Sequence, residues 1–335
     1  MRHLADSRGA TRRVRILSFI LLLVAVVASG CTTSSDEKQP TIAIANLQQH
    51  PILNAVEDGV VDELAERGYK ADSTANFVMR NANGDQQRVA TIASNLSTQD
   101  PDVVVPISTP VAQAVVKQVD VPVVFGALTD PVGAGIMSSL DSTREKITGT
   151  TDALPYRAQL RLVRRISKDA RQLGMLFNPG EASSQYAIKQ VRRLAPDLGF
   201  ELVEGPVSSS NEVYPVAQDL ANRVDVLLIS TDNTVAAGIA GAVRIASEQD
   251  IPLYACDRGS VQKGAIAAVS PGYYRIGRKT GELAARMLQG ERHLPVAQPD
   301  SGNIYLNLES AGRMGVKVPE DVRGEATETY DSIGS

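Results

Sequence analysis

The sequence has no tryptophan, only two cysteines and three histidines, and aromatic residues make up 4% of it. Each shortage excludes something. Two cysteines cannot build the disulfide framework of a small secreted domain. Beyond the first thirty residues only His50 and His293 remain, so no histidine cluster is available for zinc. No Gly-x-Ser-x-Gly elbow and no Gly-x-x-x-x-Gly-Lys phosphate loop occurs, and the glycines of residues 126–135 fit no dinucleotide fingerprint. Asp100 with Asp102, and Asp232 with Asp257, are the acid pairs on offer, and catalysis is not expected from them. Positive charge is not in excess either: the formal net charge is −4, which argues against nucleic acid or anionic lipid as the main partner. The lack of tryptophan counts against a sugar, whose faces stack on aromatic rings.

What is present begins with an export signal. Arg12, Arg13 and Arg15 precede an apolar run, residues 16–27, broken only by Ser18. Ala28-Ser29-Gly30 then meets Cys31. A basic head, a short apolar core and small residues describe a secretory leader, and the run falls short of the ~20 residues of a membrane span. Ala28 to Cys31 resembles a bacterial lipobox, which makes Cys31 the expected lipidation site. Residues 1–30 are thus expected to be removed and 31–40 to form a polar tether. Loss of the leader's five arginines and one aspartate moves the net charge from −4 to −8. About 300 residues remain, enough for one large or two medium domains. Cys256 is then unpaired, and reads as a small buried hydrophobe.

From Pro40 onward, strand and helix signals alternate. Residues 41–45, 69–78, 103–107 and 121–125 read as strands, with helices at 54–67 and 86–96 and a third after Pro110. In the third, Thr109 is the expected cap and Pro110 the first helical residue. After Thr148-Gly-Thr-Thr-Asp152 the grammar starts again. Strands are expected at 172–177, 200–203, 225–230, 253–256 and 265–269, with helices at 157–166, 184–194, 214–222, 234–248 and 274–288. Two βα arrays of similar size predict an α/β protein with two doubly wound, Rossmann-like lobes.

Open α/β sheets bind ligands just past their strand ends. The residues there are Asn46, Gln48 and His50; Ser108 and Thr109; Thr129 and Asp130; Asn178; Asp232, Asn233 and Thr234; and Asp257. They are neutral hydrogen-bonders and carboxylates, without arginine or lysine. Singly, each also serves as a helix cap. Together they suit a zwitterion, because hydroxyls and helix N–H groups receive a carboxylate while an aspartate receives an ammonium.

From about residue 41 to 316 the chain resembles the ABC transporter substrate-binding lipoproteins of the tryptophan/tyrosine-binding type. The phrases that carry this are His50-Pro-Ile-Leu53, Asp102-Val-Val-Val, Ser108-Thr-Pro-Val-Ala-Gln113 and Leu128-Thr-Asp-Pro-Val-Gly-Ala-Gly135. Thr148-Gly-Thr150, Asn178-Pro-Gly-Glu181, Asp232-Asn-Thr234, Asp257-Arg-Gly-Ser260 and Tyr305-Leu-Asn307 follow in order. The resemblance implies a type I periplasmic-binding-protein fold with a three-crossing hinge. Residues 41–150 with 271–303 would form one lobe, and 151–270 with 304–335 the other. It implies that Ser108, Thr109 and the backbone of Ala127, Leu128 and Thr129 hold a carboxylate. Asp257 would receive an ammonium, with Asp232 as second candidate. Gln48, His50, Asp130, Asn178 and Asn233 would complete the site. The ligand would be amino-acid-like, with Trp, Tyr or Phe as the family's precedent and another small zwitterion or amide as the alternative. Phe125, Phe177, Tyr156 and Tyr186 are the possible ring platforms. No cofactor, metal or nucleic acid is implied. The partners would be a permease with its ATPase, or else a signalling protein, for a monomer held outside the cytoplasm by its lipid.

Overall fold

The structure is a computed structural model and describes residues 39–299 and 302–334. The leader, most of the tether and Cys31 lie outside the described residues.

A first parallel sheet is built from β1 (Thr41–Asn46), β2 (Asn76–Asn81), β3 (Val103–Ile107), β4 (Val123–Phe125) and β5 (Ile147–Gly149), in the order β2-β1-β3-β4-β5. Helices α1 (Pro51–Glu66), α2 (Gln86–Gln99) and α3 (Thr109–Gln118) connect them. All five residues of β3 are buried, as a β-branched run covered on both faces requires. After α4 (Tyr156–Ile166), a second parallel sheet repeats the pattern. Its strands are β6 (Gln172–Phe177), β7 (Glu201–Pro206), β8 (Val226–Ile229) and β9 (Leu253–Tyr254), in the order β7-β6-β8-β9. Helices α5 (Ala182–Leu194), α6 (Val213–Ala221), α7 (Asn233–Ala237) and α8 (Ile239–Glu248) connect these, and α9 (Arg258–Gln262) follows β9. The chain continues through β10 (Ala267–Ser270), α10 (Tyr273–Leu288), β11 (Asn303–Asn307), α11 (Leu308–Arg313), α12 (Glu320–Gly324) and β12 (Glu328–Tyr330). β11 lies antiparallel to β10 and parallel to β12.

Buried apolar residues fall into two main cores. One draws on residues 42–147 and 273–296, the other on 154–269 and 306–322. The chain therefore passes between cores three times. Its return to the first core depends on α10 packing against α1 at close range. A Cβ on Gly277 would collide with the Val56 carbonyl oxygen, and one on Gly281 would sit 2.8 Å from that of Val60. Only glycine allows backbones this near.

Three expectations from the sequence are revised. The strand expected at 69–78 runs instead over β2, because residues 68–75 fold into a turn in which the Lys70 N–H donates to Thr74 Oγ1 at 2.8 Å. The helix expected at 234–248 is two, α7 and α8, split at Gly238. The Ser210 carbonyl and Val213 press against that glycine and leave no room for a side chain. Thr109 is not a cap. It is the first residue of α3, Ser108 occupies the cap position, and Pro110 follows one place later than expected.

Candidate binding cleft

The cleft lies where both sheets reverse direction. In the first sheet β1 and β3 neighbour each other although β2 comes between them in sequence, and in the second β6 and β8 do the same. Ligand sites form at such switch points. The cleft is partly open, and its space measures about 510 Å³ with solvent at the mouth included. It is lined by Gln48 and His50 after β1, Ser108 and Thr109 after β3, Ala127 and Thr129 after β4, and Asp152 after β5. The opposite wall is Ser183, Ser230, Thr231, Asp232, Asn233, Cys256 and Asp257. Ile52, Leu53, Ala236 and Tyr273 also line it.

Nine of the twelve sequence-derived candidates therefore meet here. The other three do not line this space. Leu128 is fully buried and its N–H donates to the Thr150 carbonyl at 3.2 Å. Asp130 folds back to accept from the Gly133 N–H at 2.9 Å. Asn178 lines a polar mouth alongside, with Gln48 and Asn233, and its Nδ2 donates to Thr234 Oγ1 at 2.9 Å. None of the four proposed ring platforms lines the cleft; among the described residues the phenyl-type ring that does is that of Tyr273.

Backbone conformation marks the site independently. Seven described residues other than glycine have positive φ, and five are Asp, Asn or His, which tolerate it. The other two are Ser108, at φ 88°, and Ala127, at φ 51°, and both line the cleft. Strain of this kind costs of order 1–3 kcal/mol and gathers at binding sites. At Ser108 it turns the hydroxyl away from capping α3, so the helix start keeps its free N–H groups without a side-chain cap.

Polar satisfaction gives the strongest signature. Nine buried side-chain polar atoms among the described residues lack a partner. Four line this cleft: His50 Nε2, Ser108 Oγ, Asp152 Oδ1 and Ser183 Oγ. Buried polar groups are normally paired, so four orphans facing one space point to a polar occupant. Burial holds the His50 imidazole below its usual range, against the pull of the Asp257 charge, so it is neutral at neutral pH. Burial likewise raises the Asp152 carboxyl, opposed by the hydroxyls of Thr129 and Tyr273. The Cys256 thiol is pushed up by burial and stays protonated, which fits an inert packing role.

The carboxy-terminal wall is held by its own hydrogen bonds. Asp232 Oδ1 accepts from the Val235 N–H at 2.9 Å, and Oδ2 from Ser184 Oγ at 2.6 Å and from the Asn178 N–H. Burial first, and the Glu181 charge second, push its carboxyl up to about 6. Glu181 accepts from the N–H and side chain of both Asn233 and Thr234, at 2.6–3.2 Å. Across the cleft, Gln48 Nε2 donates to the Asn233 carbonyl at 3.3 Å. No group of three metal-ligating side chains, and no helix long and apolar enough to cross a membrane, occurs among the described residues.

Sequence reasoning missed Asp152, Ser183 and Tyr273. Asp152 also stands just past a strand end, but β5 has three residues and leaves too short a pattern to read.

Residues 41–330 match the family model described as ABC transporter substrate binding protein. A tyrosine-binding protein from Clostridioides difficile is 32% identical over 310 residues, covering 88% of this chain and 90% of the relative. Among solved structures, a Streptococcus pneumoniae protein in complex with L-Trp superposes with a TM-score of 0.84 at 29% identity, over 87% of this chain and all of the other. A ligand-free, open substrate-binding protein with adhesive properties from Clostridium difficile gives 0.68 at 31% identity, over 88% of this chain and all of the other. Identity is nearly equal in the two, so the gap in TM-score reflects shape: this chain is nearer to the L-Trp complex than to the open form.

Proposed function

The chain belongs to the ABC transporter substrate-binding protein family, and from that premise we propose that its cleft receives an aromatic amino acid and delivers it to a membrane permease. The observation that carries this reading is the set of four unpartnered buried atoms, three that can donate hydrogen bonds and one carboxylate oxygen. Those are the complements of a carboxylate and an ammonium. Ser108 and the start of α3 take the carboxylate, the acidic side takes the ammonium, and Ile52, Leu53, Ala236 and the Tyr273 ring take the side chain. The tyrosine-binding relative and the L-Trp complex support an aromatic side chain over an aliphatic one.

The lobes of this reading are residues 41–150 with 271–303, and 151–270 with 304–335. They close on the ligand by hinge motion, with the Gln48–Asn233 bond made on closure. Residues 1–30 act as a leader, Cys31 carries the lipid that holds a monomer outside the cytoplasm, and the protein is a receptor rather than an enzyme. A melting screen of the purified protein with the twenty amino acids and common sugars tests this. A ligand at a hundredfold excess over its dissociation constant adds about 2.7 kcal/mol of stability, so Tyr, Trp or Phe should raise the midpoint clearly. A response to a sugar alone, or to no amino acid, would refute the reading.

A further inference from the structure

Three aspartates face the cleft, and they differ in what their oxygens already hold. Asp257 Oδ1 accepts from the Ser260 N–H at 2.7 Å and Oδ2 from Ser260 Oγ at 2.5 Å, which caps α9. Asp232 caps α7 and receives two further donors from residues 178 and 184. Asp152 is different. Its Oδ2 accepts a long bond from the Tyr273 hydroxyl at 3.3 Å, the Thr129 hydroxyl stands near enough to favour the charged form, and its buried Oδ1 has no hydrogen-bond partner. The residue is only 5% exposed, and among the described residues neither lysine nor arginine lines the space it faces. A carboxylate withdrawn from water with one bare oxygen is costly until a cation or donor completes it.

Its place in the chain matters as well. Asp152 lies in the first passage between the two cores, and Tyr273 begins α10 directly after the second. We propose that Asp152, rather than Asp257 or Asp232, is the specificity-determining residue that receives the ligand's ammonium group on Oδ1. Asp257 and Asp232 hold the wall of the cleft in place. The ammonium is then gripped by the segments that connect the lobes, and an otherwise identical acid lacking the amine is rejected. This rests on the receptor reading above.

The test is calorimetry on the full chain with L-tyrosine and with 3-(4-hydroxyphenyl)propanoate, which differs only in lacking the amine; L-tryptophan and 3-(indol-3-yl)propanoate serve as a second pair. Wild type should prefer the amino acid by roughly 100-fold or more, the scale of losing one partner of a buried charge pair. Asp152→Asn should weaken amino-acid binding by about 100-fold and erase the preference. Asp257→Asn should keep the preference, with any loss of affinity equal for both ligands. If Asp152→Asn binds with the wild-type preference, the assignment is overturned while the receptor reading stands. If wild type binds neither amino acid, the receptor reading falls, and this assignment with it. Should Asp152→Asn fail to fold, the carboxyl carbon resonance of Asp152 in labelled wild type replaces it. It should move on adding L-tyrosine and stay still with the propanoate, and an unmoved resonance in both would overturn the assignment.

Discussion

The two walls of the cleft are built from the same kind of junction, a strand end running into a helix start, yet they are finished differently. On the carboxy-terminal side, Asp232 and Asp257 cap their helices and Glu181 accepts four hydrogen bonds from Asn233 and Thr234. On the amino-terminal side, Ser108 stands at the cap position without capping, in a strained backbone conformation, with its hydroxyl and the ring nitrogen of His50 unpaired. One wall, Ser183 Oγ excepted, spends its polar groups on its own rigidity. The other leaves them facing the cleft, and that is the wall a ligand completes. Asp152, on the segment between, shares the open character of the second.

The contrast predicts that changes to the closed wall act on stability, and changes to the open wall on affinity. The largest effect expected is from Glu181→Ala, which strands four donors in a part-buried site. It should lower unfolding free energy in urea by about 3 kcal/mol or more. Next is the pH dependence set by Asp232. Its folded carboxyl is raised from 3.8 to about 6, so its stabilising effect is full below pH ~4 and is lost as the pH rises to about 6. At 1.36 kcal/mol per unit this is about 3 kcal/mol, and Asp232→Asn should remove that fall from a stability–pH curve. Ser108→Ala should leave the urea midpoint unchanged and weaken amino-acid binding by roughly 10- to 100-fold, as for a hydrogen bond to a charged group. Equal loss of stability in Ser108→Ala and Glu181→Ala would break the contrast. The smallest change is Gln48→Ala, which removes one bond across the cleft worth about 1 kcal/mol. It should shift solution scattering of the ligand-bound protein toward a more extended form.

Much of this was legible in the sequence, for identifiable reasons. Runs such as residues 103–107 and 172–177 are β-branched or apolar enough to read as covered strands, and two such arrays gave the fold class. Strand-end residues were readable because their position follows from the strands. Asp152 escaped because β5 is too short to show a period. The break at Gly238 and the close crossing of α1 and α10 depend on partners distant in sequence, so no local pattern reports them. Sequence likewise cannot distinguish a serine that caps from one held at φ 88°, which is why Thr109 looked like the cap.

The most direct measurement is a crystal structure of the protein grown with L-tyrosine or L-tryptophan. The ligand should lie between the lobes with its carboxylate against Ser108 and the start of α3, its ammonium against Asp152, and its ring toward Ile52, Leu53 and Tyr273. A ligand bound in the reverse sense, with its carboxylate held by the Glu181 and Asp232 side, would contradict the division of labour between the two walls.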